Sequence, residues 1–337
     1  MDLCQRSASE QVYVTAAILE LSTILSSIYE EFFSRKLPTV SLGEFITIWL
    51  REVKPQVKAS TYKNYKDAAK HLCQFLGESR ALLDISRNDI TQFRSKLAAQ
   101  LSAGSVNHYL EITRRAFKAA QRDELILRSP AEFVAALKAA PATPRAFTLE
   151  ELQTVLAVAD TEWRSMILCA VYTGQRLGDL SALIWSDVDL TAEEVRFVTA
   201  KTGARLVIPM AAPLRNHFLS LPSVDDPKTP FHPRAFRNFQ NNTLANVSAG
   251  FGDLLAKAGL RPKLTHKKRR TDNTKKHERF ELCFHSLRHT SVTLLKGAGI
   301  PHAAVEQLIG QCPAISRHYT HVDLMSLKRA ANAFPEL

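Results

Sequence analysis

A mainly α-helical protein of two domains, with a small β-sheet or hairpin insert that makes the second domain α+β, is what this sequence predicts. Three observations carry that reading. Apolar residues recur at helical spacing through most of the 337 positions. The clearest β-rich stretch is a pair of short runs, Val195 to Thr199 and Arg205 to Pro209, around the turn sequence AKTGA. A short segment holding Pro141 and Pro144 separates two helical regions, and a chain of this length ordinarily makes two domains.

The elements follow in order. Residues 10–35 place Val14, Ile18, Leu21, Leu25, Ile28 and Phe32 on one helical stripe that Pro38 ends. Ser41 with Glu44 three residues on is a capping box, opening a helix whose stripe is Leu42, Phe45, Ile46, Trp49 and Leu50. Ser60 to Leu76 is a second helix stopped by Gly77. Arg87 to Leu101 and Ser105 to Asp123 continue the bundle, through Ile90, Phe93, Leu97 and through Val106, Tyr109, Ile112, Ala116, Ala120. Thr148 with Glu151 caps the first helix beyond the linker. The apolar run Met166 to Tyr172 reads as strand-like, and Leu324, Leu327, Ala331 and Phe334 mark a terminal amphipathic helix. The predicted division is an N-terminal helical extension (1–37), a helical bundle (38–137), a linker (138–146) and a larger C-terminal domain (147–337).

Charge narrows the partner. Lys+Arg 44 against Asp+Glu 33 leaves +11, with an isoelectric point near 9.5, a field that attracts polyanions. The bundle repeats cations at Lys54, Lys58, Lys63, Lys66, Lys70, Arg114, Arg115 and Lys118. A second basic run, KKRRTDNTKKHER, contains Lys267, Lys268, Arg269 and Arg270 and reads as a phosphate-contacting loop. The five cysteines are odd in number, scattered and without a CxxC pair, which argues against a disulfide frame or a zinc site. The longest apolar stretch, Ala16 to Leu25, is too short to span a bilayer and contains Glu20, so the expectation is a cytoplasmic protein with no membrane partner.

A set of polar residues in the second half points to chemistry on a phosphodiester. Arg176 follows a glycine in Thr173-Gly174-Gln175-Arg176, Lys201 sits in the hairpin turn, His285 and Arg288 share a helical face at i, i+3, and Tyr319 comes last in SRHYTH. Singly each has a plainer reading: Arg176 as an ion-pair partner of Asp179 or Asp187, Lys201 as a solvated turn residue, Tyr319 as core. Together they are what phosphoryl transfer needs. Guanidinium groups hold two non-bridging oxygens of the transition state, a phenol attacks phosphorus, a lysine protonates the leaving oxygen and an imidazole orients the nucleophile or takes its proton.

In that order and context the residues resemble the tyrosine recombinase, or phage integrase, family. TGQRLGDL resembles its first arginine box, Lys201 its hairpin lysine, HSLRHT its second box and YTHV its nucleophile box. The resemblance runs from about Pro38 onward, the helical bundle being similar to the family's core-binding domain. It implies a two-domain clamp around a double-stranded recombination site, with Tyr319 forming a 3′-phosphotyrosyl link, Arg176 and Arg288 clamping the phosphate, and Lys201 and His285 moving protons. It also implies no cofactor and no metal, a homotetramer on synapsed DNA from a protein that is monomeric when free, and room for an accessory excisionase. One position departs from the pattern. Where the family has glycine followed by His or Trp, with tyrosine nine residues on, this chain has Gly310-Gln311, and Tyr319 follows eight residues after Gln311. Gln311 can donate to a phosphate oxygen but cannot change charge. Two further readings therefore stand beside an active recombinase: a DNA-binding homologue with weak or lost turnover, and a type IB topoisomerase.

Overall fold

The computed structural model describes residues 39–138, 144–263, 280–310 and 324–337, together with residues 17, 20, 21, 24, 27, 28 and 31 of the N-terminal segment. The scattered N-terminal positions are helical and exposed, Leu21, Ile24 and Ile28 among them. The chain divides into two units near Ala140–Pro141.

In the first unit the capping signals act where the sequence places them. Helix α1, Leu42–Val53, starts at Ser41, whose Oγ accepts from the Glu44 amide while the Glu44 carboxylate accepts from the Ser41 amide at 2.9 Å. Its buried face, Leu42, Phe45, Ile46 and Trp49, has i, i+3, i+4, i+7 spacing. Helix α2, Ala59–Leu76, ends at Gly77 with φ 89°, a conformation glycine reaches without strain. Tyr65 of α2 stacks on Trp49 with ring centroids 5.3 Å apart. Helices α3, Arg87–Gln100, and α4, Ala103–Arg122, complete a bundle around Phe93, Leu110 and Phe117.

The segment that leaves this bundle is fastened by Arg87, Arg94 and Asn107, which the sequence did not single out, and by Arg114, which it read as a DNA-facing cation. Arg87 donates to the Phe133 carbonyl at 2.9 Å, Arg94 to Ala135 at 2.6 Å and Arg114 to Val134 at 2.5 Å. Asn107 both donates to and accepts from the Leu137 backbone. These bonds satisfy backbone groups in a stretch outside any helix or strand.

The second unit is built on helix α6, Thr161–Thr173, which follows α5, Leu149–Val158, and its Thr148–Glu151 cap. The strand-like reading of Met166 to Tyr172 is overturned: this run is the buried half of α6, with every residue from Ser165 to Thr173 out of solvent. A helix enclosed on all sides has no polar face, so its period is invisible in hydropathy. Gly174 (φ 63°) stops it, and the five-residue helix α7, Leu177–Ser181, follows. The β insert is a three-stranded antiparallel sheet in the order β1 (Val188–Asp189), β2 (Glu194–Val198), β3 (Arg205–Pro209). The β2–β3 hairpin is as predicted, with Val198 opposite Arg205; β1 was not foreseen. Helices α8 (Ala212–Leu219), α9 (Pro233–Gln240), α10 (Leu244–Lys257), α11 (Phe284–Gly297) and α12 (His302–Ile309) follow. Helix α11 lies against α6, and α13, Leu324–Asn332, packs on α12 and β3. Leu327, Ala331 and Phe334 of the terminal stripe are buried, Leu324 is exposed, and Phe334 meets Tyr172 edge-on at 5.4 Å. The tail thus packs on its own unit.

A fully buried histidine ties α6 to α7. His232 Nδ1 lies 3.0 Å from the Leu180 carbonyl, which fixes it as the protonated nitrogen, and Nε2 accepts from the Ser165 hydroxyl at 3.1 Å. Burial drives its pKa from 6.5 down to about 4, against small opposing contributions from the Leu180 carbonyl and Glu162. The unfolded chain therefore binds the extra proton between pH 6.5 and 4, and stability falls with pH across that window. Urea titrations should register a loss of about 3 kcal/mol from this group between those limits, and His232→Gln should flatten that part of the profile. Identical slopes in the two proteins would remove His232 from the account.

Candidate active site

The candidate site is built on the turn between α6 and α7. Position 174 demands glycine twice over: the turn needs the left-handed conformation, and a Cβ would stand 2.6 Å from Ile309 Cγ2 and 3.1 Å from Ser291 Oγ. The turn therefore lies directly on the C-terminal end of α12. It delivers Arg176 to the N-cap of α7, half-buried, and Asp179 one turn on, buried.

Arg288 comes to the same turn from α11. It is 3% exposed, and its Nη1 donates to the Gly174 carbonyl at 2.6 Å. Its Nε and Nη2 are buried and have no hydrogen-bond partner among the described residues, and neither has Arg176 Nη1. Burial, then the neighbouring Arg176 charge, pulls the Arg288 pKa down to about 10, while Asp179 opposes the shift. Buried donors left unmatched are uncommon in folded proteins. Here three guanidinium nitrogens are left so near one turn, beside the neutral Ser291 hydroxyl and the acceptors Asp179 Oδ2 and Gln175 Oε1, and an anion would suit the cationic ones.

Asp179 does more than accompany Arg176. Its Oδ1 accepts from the Ala200 amide at 2.7 Å, while Oδ2 stands 3.9 Å from Arg176 Nη1, too far for a direct hydrogen bond. One carboxylate thus ties the arginine turn to the hairpin turn that bears Lys201. Thr199 steadies that turn by accepting from the Ala204 amide at 3.0 Å. Lys201 itself is exposed at its edge. His285, three residues before Arg288 on α11, is open to solvent on one side and meets His289 edge-on at 5.0 Å. Packing, and then the surrounding charges of His289, Arg288, Arg176 and Lys201, push its pKa down, which favours the neutral imidazole.

Four of the six residues singled out in the sequence, Arg176, Lys201, His285 and Arg288, are therefore grouped around one turn. Gln311 and Tyr319 lie outside the described residues, as do Lys267, Lys268, Arg269 and Arg270. The site has a floor of buried guanidinium and a rim of exposed lysine and imidazole, an open arrangement suited to one group of a large ligand.

The cations of the first unit are less uniform. Lys63, Lys66 and Lys70 line a groove between α1 and α2 that also holds Glu44, Asp67 and Glu78, so their field is partly offset. Arg114 is occupied by Val134 and Glu111, and Arg115 by Glu111 and the Tyr65 hydroxyl. Lys54, Lys58 and Lys118 are exposed. Sequence reasoning missed Gln175, Asp179's reach to Ala200, and His232; each acts through a non-local backbone contact that leaves no local motif.

Comparison with known proteins agrees with this geometry. Residues 145–325, more than half of the chain, match the phage integrase family, and residues 41–98 match the phage integrase N-terminal SAM-like domain. The chain belongs to the phage integrase family, whose members include tyrosine recombinases. It is 28% identical to the ICEBs1 integrase of Bacillus subtilis (strain 168), over 52% of this chain and 49% of that one. It is 21% identical to the tyrosine recombinase XerD of Ralstonia nicotianae, over 49% and 55% respectively. The chain spans about half the length of the curated relatives it matches. Among solved structures, a lambda integrase tetramer bound to a Holliday junction shares the fold with a TM-score of 0.64 at 19% identity, covering 93% of this chain and 90% of that one. The Tn1549 transposon integrase, in complex with a circular intermediate DNA, gives 0.62 at 17% identity, over 86% and 98%.

The packing at Gly174 makes a sharp stability prediction. Gly174→Ala adds both a left-handed alanine and a steric clash, and should cost about 2–4 kcal/mol in urea denaturation. Gly203→Ala, with φ 69° in open space, should cost only about 1–2 kcal/mol. Equal losses at the two positions would mean that α12 does not press on the turn.

Proposed function

We propose that this protein is a site-specific DNA recombinase that breaks and rejoins duplex DNA through a covalent tyrosyl intermediate. The observation that carries the reading is the pair of guanidinium groups, Arg176 and Arg288, that leave unmatched buried donors around one turn, with Lys201 and neutral His285 at its rim. Arg288 and Arg176 would hold the non-bridging oxygens of the scissile phosphate and bind most strongly as charge accumulates on them in the transition state. The Tyr319 phenol oxygen would bond to phosphorus as the bond to the 5′-oxygen breaks. His285, neutral, can take the phenol proton, and Lys201 can give one to the leaving 5′-oxygen. Attack by a 5′-hydroxyl on the phosphotyrosyl link returns both protons and restores a phosphodiester.

The partner under this proposal is a double-stranded recombination site, contacted by both units, with protomers assembling as a tetramer on synapsed DNA. The relatives' names support placement in a mobile element such as a prophage or conjugative element, and hence a cytoplasmic, DNA-associated protein. The described residues contain no helix long and apolar enough to cross a membrane.

A second reading has one observation in its favour. Gln311 stands where the family has His or Trp, so the site has one fewer group able to carry a proton or a second charge. A homologue that binds DNA and turns over slowly would look the same elsewhere.

Covalent capture from a pool of nicked duplexes with randomised cores separates the two. Wild-type protein should yield a protein–DNA adduct stable to denaturant, and Tyr319→Phe should abolish it while retaining DNA binding. Adducts that persist in Tyr319→Phe would transfer the nucleophile to another residue. On the captured sequence, Gln311→His should raise the single-turnover cleavage rate, by roughly tenfold if a donor worth about 1.4 kcal/mol is regained. No change would show that Gln311 already supplies what the reaction needs. Arg288→Ala should lower that rate by on the order of 100-fold or more.

A further inference from the structure

Gln175 lies between the glycine that makes the arginine turn and the arginine itself, and the mechanism above gives it no task. Its side chain is 1% exposed. Nε2 donates to the Thr173 carbonyl at 2.9 Å and to the Leu308 carbonyl at 3.2 Å. The amide orientation is forced, since the flipped side chain would set its oxygen against two carbonyl oxygens. Oε1 is buried and accepts nothing among the described residues.

The second of these bonds connects distant parts of the chain. Leu308 belongs to the last turn of α12, whose carbonyls the helix leaves short of donors; the Gly310 amide reaches those of Glu306 and Gln307. Gln175 supplies one of them with a donor from a turn 133 residues away in sequence. The same helix end is gripped on two more sides. Ile309 fills the space where Gly174 lacks a side chain. Gly310 turns the chain out of α12 at φ 70°, where a Cβ would stand 2.6 Å from Leu206 Cδ1 of β3. The arginine turn and the hairpin that bears Lys201 therefore both close on Leu308–Gly310. Tyr319 follows Gly310 by nine residues.

We infer that Gln175 is a positioning residue: its bond to the Leu308 carbonyl sets the end of α12, and with it the origin of the segment that carries Tyr319, against the phosphate clamp of Arg176 and Arg288. This deepens the recombinase reading and rests on it. Packing at Gly174 and Gly310 fixes how near the helix end lies, but apolar contacts are non-directional and tolerate sliding. A hydrogen bond from a buried amide fixes direction as well. Misplacement of a nucleophile by about 1 Å can cost on the order of 100-fold in rate, so a bond that contributes little to stability can matter greatly to cleavage.

The test uses the full chain and a nicked duplex obtained by covalent capture with wild-type protein. Gln175→Met keeps the volume and removes the donor. Gln175→Asn keeps the amide but is one methylene too short to reach Leu308. Both should slow single-turnover adduct formation by on the order of 10–100-fold, with DNA affinity and melting temperature close to wild type. A slowed rate with unchanged affinity and melting temperature supports positioning. Wild-type rates in either variant overturn it and leave the recombinase reading intact. Losses of rate, affinity and melting temperature in proportion also overturn it, since they describe a residue that only holds the fold. If wild-type protein forms no adduct with any duplex, the recombinase reading falls and the positioning role falls with it.

Discussion

Two like charges held close together, one of them almost wholly out of water, are the constraint around which the second unit is arranged. Arg288 is almost entirely buried, Arg176 is half-buried, and burial together with the Arg176 charge pulls the Arg288 pKa down. An isolated buried guanidinium would cost several kcal/mol in lost hydration. The fold offsets part of that with one backbone carbonyl, at Gly174, and one nearby carboxylate, Asp179. Among the described residues nothing else partners Arg288 Nε, Arg288 Nη2 or Arg176 Nη1. Had a second carboxylate closed the site, the pair would be an internal salt bridge with nothing left to offer. Incomplete satisfaction of this kind would let a charge cluster serve as an anion site, with the stability forgone there recovered on binding.

Everything near this pair works to keep it rigid. Arg176 sits at the start of α7; His232 holds α7 to α6 through the Leu180 carbonyl; Asp179 holds α7 to the hairpin through the Ala200 amide; Gln175 holds the turn to α12. Three of these bonds end on a backbone atom, and so position whole segments and not merely side-chain tips. Preorganised donors need not reorient as charge develops, and that is the source of their catalytic advantage over water. The exposed members, Lys201 and His285, stand at the rim, where proton exchange with solvent is easy. Under the proposed mechanism this placement would separate the work: charge stabilisation in the dry floor, proton movement at the wet edge.

The sequence disclosed the elements whose signals are local. Capping boxes at Ser41–Glu44 and Thr148–Glu151 and the glycine stop at Gly77 each depend on residues a few positions apart. So does the hairpin around Gly203, and all are legible without a fold. Helix α6 was misread because nine consecutive buried positions erase the contrast between faces. The two-residue β1 has too few residues to show any alternation. The candidate site divides the same way. The residue types able to handle a phosphate were visible as an ordered set, since their chemistry is unusual. The groups that hold them were not, because glutamine, aspartate and histidine are ordinary residues until a partner 21, 52 or 133 positions away gives them a purpose. Arg114 makes the converse point: it reads as a surface cation, yet one of its nitrogens supplies a buried-chain carbonyl at Val134.

That contrast bears on how the departure at Gln311 should be weighed. A missing histidine removes one group from the phosphate's surroundings but leaves the geometry of the others untouched. The clamp does not need residue 311 to exist: its guanidiniums are set by α11, by the α6–α7 turn and by the hairpin, all of which precede that position in the chain and close on one another through Arg288–Gly174 and Asp179–Ala200. Replacing buried charged groups with apolar side chains of similar volume is often neutral or stabilising, so guanidinium donors with no partner among the described residues are not explained by stability alone. That is the physical argument for proposing that the site takes a phosphate, whatever residue 311 contributes.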